Sequence, residues 1–120
     1  MKTSTILAGT VLAAALVVAG PAAARPAAGD VTTTVVKVSM YEMGFKLSKR
    51  IVPRGIVVFR VTNAGKLPHD FRIKGKGTPV FDPSKTATLK VKFLKPGKFT
   101  FICSVEGHAS GGMYGKLTVR

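Results

Sequence analysis

Apolar residues recur at every second position along most of the chain beyond residue 30. Val36, Val38 and Met40 share one face of a β-branched run from Val31 to Tyr41, with Lys37 and Ser39 opposite, the period-two pattern of a half-buried strand. Val57, Phe59 and Val61 repeat the pattern between Ile56 and Asn63, with Arg60 and Thr62 turned outward. The clearest alternation runs from Thr86 to Phe93, where Ala87, Leu89, Val91 and Phe93 oppose Thr86, Thr88, Lys90 and Lys92. Shorter extended pieces are predicted from Phe45 to Val52 and from His69 to Ile73. Two more flank a glycine-rich stretch, one leading into Cys103 from Phe99 and one running from Tyr114 to Arg120. Turn signals stand between them at Met43-Gly44-Phe45, Pro53-Arg54-Gly55, Asn63-Ala64-Gly65-Lys66 and Pro96-Gly97. Lys74 to Pro79 holds too much glycine for regular structure and reads as a loop. About seven to eight short strands, with no helical period after residue 24, predict an all-β, antiparallel Greek-key β-sandwich.

The first residues read differently. Met1 to Thr5 form a weakly basic start, Ile6 to Ala19 an apolar run, and Gly20-Pro21 a break before Ala22-Ala23-Ala24. Such a run is short of the roughly twenty residues of a spanning helix, and small residues after it suit a signal peptidase. Residues 1–24 are therefore expected to be a signal peptide cleaved after Ala24, residues 25–30 a flexible lead-in, and residues 31–120 one domain. The location expected is the periplasm or another exported compartment.

Charge changes the picture less than its size suggests. Of nineteen Lys and Arg only Lys2 precedes residue 25, leaving eighteen bases against five acids, a net +13. Export argues against nucleic acid as the partner, and no aromatic cluster for base stacking accompanies the lysines. The lysines read either as a merely solvated basic surface or as a surface that steers encounters with an acidic protein or an anionic membrane surface.

The single cysteine has no partner for an internal disulfide, so in an oxidising compartment it must be buried or hold a metal. It opens the run Cys103-x4-His108-x4-Met113, and the chain's other histidine is His69. A lone histidine is more often structural and a lone methionine more often packing. Two imidazoles and a thiolate with a weak thioether, however, make a blue-copper set, and the chain contains that set with no histidine or cysteine to spare. Cys103 ends a buried strand, Gly107 lets the chain turn so that His108 returns to the sulfur, and Gly111-Gly112 leads Met113 into the last strand. Glu106 is read as exposed and Met40 and Met43 as packing.

Asn63-x-Gly65, Leu67-Pro68-His69-Asp70-Phe71, Pro96-Gly97-x-Phe99-x-Phe101-x-Cys103 and the Cys103-x4-His108-x4-Met113 loop together resemble the small cupredoxins of the plastocyanin and azurin kind, from Val31 to Val119. The resemblance implies one type 1 copper per chain, with His69, Cys103 and His108 as equatorial ligands and Met113 as the axial one. It also implies single-electron transfer through His108 at the end of the barrel. The ligand loop is longer than in plastocyanins and closer to azurins and stellacyanin-like proteins. Where the family usually has Asn after the first histidine, this chain has Asp70; the family's Asn ties that segment to the residue after the cysteine. Asp70 is expected to do so by accepting a hydrogen bond from Ser104.

The function expected is an exported, monomeric electron carrier that docks transiently on an acidic redox protein, a cytochrome or an oxidase or reductase. Copper storage or delivery is the alternative, although two histidines are few for a copper chaperone. No enzyme is expected. A thiol nucleophile is commonly activated at a helix N-terminus, and a multicopper oxidase or nitrite reductase needs more histidines than two.

Overall fold

The computed structural model describes residues 31–120 together with Gly9, Ala13 and Ala14. The expected signal peptide, its cleavage site and the lead-in fall largely outside these residues. Among the described residues there is no helix, and nine strands form two sheets.

The first sheet carries the strongest alternation in the chain. Its members are β1 (Thr33–Tyr41), β2 (Gly44–Leu47), β4 (Gly55–Asn63) and β7 (Thr86–Phe93), in the order β2-β1-β4-β7. Val36, Val38 and Met40 of β1, and Val57, Phe59 and Val61 of β4, are all buried. Only the second half of β7 is fully covered: Val91 and Phe93 are buried, whereas Ala87 and Leu89 are half-buried. The second sheet, ordered β3-β9-β8-β5-β6, comprises β3 (Ile51–Val52), β5 (Arg72–Ile73), β6 (Lys76–Gly77), β8 (Gly97–Ile102) and β9 (Tyr114–Val119). Phenylalanines from both sheets and the loops meet between them. Phe59 and Phe71 have ring centroids 5.0 Å apart, and Phe45 meets Phe101 edge-on at 5.4 Å. Such pairs contribute about 0.5–1.5 kcal/mol each beyond the area they bury.

The sandwich differs from the expected one in its pairing. β1 runs parallel to β4, Val36 opposite Phe59, and β3 runs parallel to β9. The cause lies in the single extended piece expected from Phe45 to Val52. It divides into β2, at the edge of the first sheet, and β3, at the edge of the second. A chain that leaves one sheet, pairs with the other and comes back re-enters alongside β1 in the same direction. Two local expectations are also corrected. Arg72 and Ile73 alone form β5, since His69 makes only an isolated bridge with Phe81, and Lys76-Gly77 closes a tight hairpin onto β5 despite its glycines.

Candidate metal centre

Cys103 follows directly on β8 and is fully buried. Its amide donates to the Met113 carbonyl at 3.1 Å, which closes the eleven-residue excursion between β8 and β9. Inside that excursion the backbone winds in tight turns. The His108 amide donates to the Val105 carbonyl, the Gly111 amide to Gly107 and His108, and the Met113 amide to the His108 carbonyl at 3.0 Å. Gly107 takes φ +81°, a conformation costly for any residue with a Cβ, and thereby returns the chain towards the sulfur. Cys103, His108 and Met113 are thus set by backbone hydrogen bonds within one short loop.

His69 arrives from the other side, on the segment between β4 and β5. Its backbone pairs with Phe81 in both directions, at 3.3 and 3.0 Å. Asn63, at the end of β4, holds the turn that precedes it. The buried Asn63 amide donates to the carbonyls of Leu67 and Phe81, both at 2.9 Å, and its own carbonyl accepts from the Gly65 amide.

These two segments bring three donors together. His69 Nδ1 lies 3.1 Å from His108 Nδ1, and Cys103 Sγ lies 3.9 Å from the first and 3.6 Å from the second. A trigonal ion with imidazole nitrogens at about 2.0 Å and thiolate at about 2.3 Å would separate the nitrogens by roughly 3.5 Å and sulfur from nitrogen by roughly 3.7 Å. The observed triangle matches that arrangement to within half an ångström, so the donor set fits a single ion at its centre. Among the described residues this is the one group of three such side chains close enough to share a metal. The donors are soft or borderline, which suits copper. Met113 is fully buried at the end of the same loop, and its backbone bonds to both His108 and Cys103.

Burial grades across the site. His69, Cys103 and Met113 have no exposed surface, while His108 keeps 8%. Gly107, Gly111 and Gly112 of its loop are exposed, as are Met43 and, two residues before His69, Leu67. Met43, read as packing and not as a ligand, is exposed in the turn after β1, and its side chain stands 3.5 Å from where a Cβ on Gly111 would lie. Met40 packs as expected, Phe45 is buried, and Glu106 is exposed.

Asp70 is buried and accepts both the amide of Ser104, at 2.6 Å, and its hydroxyl. The first-histidine segment is thereby tied to the residue after the cysteine. Burial pushes the Cys103 thiol above its ordinary pKa; the amides of Asp70 and Val105 pull it back, and the Asp70 charge adds to the rise.

Glu42 was not singled out in the sequence. It stands in the turn between β1 and β2, and its Oε1 accepts from the amides of Lys66 and Leu67, both at 2.7 Å, with His69 Nε2 at 3.1 Å. Partial desolvation pushes this carboxyl up, but the bonds from Leu67, Lys66 and His69 outweigh it and hold the pKa down at about 2. One of only five acids in a basic chain was a signal in composition. Nothing local connects it to a histidine 27 positions away.

The cupredoxin-like domain model matches residues 9–119. The copper-resistant cuproprotein CopI of Vibrio cholerae is 30% identical over 90 residues, covering 58% of this chain and 53% of that protein. The chain therefore spans about half the length of the curated relative it matches. Among solved structures, the dithionite-reduced auracyanin of Roseiflexus castenholzii superposes with a TM-score of 0.66 at 19% identity, over 75% of this chain and 98% of that one. Auracyanin A of Chloroflexus aurantiacus, a blue copper protein, gives 0.64 at 18% identity, over 74% and 100%. Both share the fold.

Proposed function

The chain belongs to the cupredoxin-like domain family, and we propose that it is an exported blue copper protein carrying single electrons between redox partners. The observation that carries this reading is the buried triangle of His69, Cys103 and His108, with sides of 3.1 to 3.9 Å. In this reading these three residues and Met113 hold one type 1 copper, which supplies a one-electron Cu(II)/Cu(I) couple. The chain's own residues do the rest. Backbone hydrogen bonds and the Asp70–Ser104 tie hold the donors in place before the metal arrives, so a change in charge meets a site that has little freedom to rearrange. His108, the donor with an exposed edge, is the route for the electron. The apolar and small residues around it allow close approach without tight binding, as weak electron-transfer encounters require. The net +13 on residues 25–120 favours an acidic redox protein as partner and makes association sensitive to salt.

The histidine count supports a carrier over an enzyme. The chain has two histidines, both in one cluster, so it holds no second copper site of the histidine-rich kind. The likeness to CopI, a copper-resistant cuproprotein, favours a second reading in which the same site stores or delivers copper.

The test is electrochemistry and stopped-flow mixing on the copper-loaded protein. An electron carrier gives a reversible one-electron couple and oxidises a reduced acidic cytochrome rapidly, more slowly as ionic strength rises. A site that releases its copper to a competing acceptor faster than it exchanges electrons supports the storage or delivery reading instead.

A further inference from the structure

His69 has its two ring nitrogens committed to opposite tasks. Nδ1 faces Cys103 Sγ and His108 Nδ1, while Nε2 lies 3.1 Å from Glu42 Oε1. A histidine that gives one nitrogen's lone pair to a metal must carry its proton on the other, and the acceptor of that proton sets tautomer, ring angle and basicity together. Here the acceptor is a carboxylate brought in from a different part of the chain.

We propose that Glu42 is the positioning residue of the copper site, holding His69 in the Nε2–H tautomer and making its imidazole a stronger donor towards the oxidised metal. The inference rests on the reading of His69 as a copper ligand. Three observations converge on it. First, the same oxygen that meets His69 also accepts the amides of Lys66 and Leu67, both at 2.7 Å. The carboxylate therefore fixes the approach of the loop as well as the ring at its end. Secondly, the chain leaves room for it: a Cβ at Gly65 would stand 2.6 Å from Glu42 Oε1, so any larger residue there would push the carboxylate from its place. Thirdly, this polar bridge crosses the margin of the site, since His69 is fully buried whereas the Glu42 side chain is 31% exposed. The charge thus touches the buried ring without itself being buried, and avoids the full desolvation cost of an ion in the interior.

A carboxylate in this place does two separable things. As an acceptor it orients the ring, which any acceptor of similar shape can do. As an anion it raises the electron density of the imidazole, which stabilises the more highly charged cupric state over the cuprous one. A role confined to pinning the Lys66–Leu67 turn does neither to the metal.

The experiment compares the copper-loaded full chain with Glu42→Gln and Glu42→Ala, reading the reduction potential and the Cu(II) dissociation constant by competition with a chelator. Circular dichroism of the copper-free proteins checks the fold. Gln keeps an acceptor oxygen and removes the charge, so the potential rises and Cu(II) affinity falls about tenfold. Ala removes both, and the loss reaches the upper part of the 10–100-fold range usual for such partners. Should Ala fail to fold, the Gln variant decides alone. A folded Gln variant with the parent's potential and affinity overturns the inference while leaving the copper site intact. A parent chain without an intense thiolate-to-copper band overturns the copper reading, and this inference with it.

Discussion

The Asp70 carboxylate accepts both the amide and the hydroxyl of Ser104, so the segment that carries His69 and the strand end that carries Cys103 are joined by one side chain. The two segments are 34 residues apart in sequence. Their relative position decides whether sulfur and imidazole meet at all.

A carboxylate next to the donors also biases the metal. In a medium of effective dielectric constant about 20, a unit charge ~5–10 Å from a metal is worth roughly 2–3 kcal/mol, on the order of 100 mV for one electron. Asp70→Asn, which keeps the shape and one acceptor oxygen, should therefore raise the reduction potential. Spectroelectrochemical titration measures it, and an unchanged or lower potential would count against the electrostatic role.

Copper loading should release a proton. Burial favours the protonated Cys103 thiol, and only the thiolate is a ligand. Affinity for copper should then rise about tenfold per pH unit above roughly pH 7 and keep rising past the ordinary thiol value, measured by chelator competition corrected for the chelator's own protonation. The copper-free protein behaves in the opposite sense. A thiol whose pKa is raised by folding contributes stability below its unfolded value, and that contribution is lost as pH rises through the folded one. A pH-independent copper affinity would mean the thiol is not the ligand that binds.

Much of this arrangement was legible in the sequence, and for definite reasons. Alternation located β1, β4 and β7 because one face of each is buried. The counts of cysteine and histidine left His69, Cys103 and His108 as the one set able to share a metal, and the structure places those three in contact. Strand direction was not legible, because alternation reports which face is buried and is silent on which neighbour lies alongside; the parallel β1–β4 pairing follows from a crossover between sheets. Lys76-Gly77 was hidden by glycine, whose weak strand preference is overridden by hydrogen bonds to β5. Glu42 was hidden for a third reason. Its meaning lies in contacts with residues 66, 67 and 69, and no short-range pattern encodes them.

Acid should weaken the protein partly through Glu42. Its pKa is lowered on folding from an ordinary 4.5 to about 2, so its contribution is fully present above about pH 4.5 and is lost as pH falls towards 2. Denaturant unfolding of the copper-free parent and of Glu42→Gln should show a stability gap at pH 7 that narrows by pH 3. A gap that stays constant or widens on acidification would contradict the hydrogen bonds assigned to this carboxylate.

The scaffold has a test of its own. Phe71 is fully buried two residues beyond His69, with its ring 5.0 to 5.6 Å from those of Phe59, Phe45 and Phe101. Phe71→Ala should cost about 3–5 kcal/mol of stability, read from the midpoint of urea unfolding in the copper-free state. A loss below about 1 kcal/mol would show that these rings do not form the central contact between the sheets.

The central claim is that Cys103, His69 and His108 hold one copper ion through a thiolate and two imidazoles. The visible absorption spectrum of the oxidised, copper-loaded chain tests it most directly, recorded beside Cys103→Ser. The account predicts an intense thiolate-to-copper band at one copper per chain, lost entirely in the serine variant. Copper bound at one per chain without that band, or a band that survives the loss of Cys103, would contradict it.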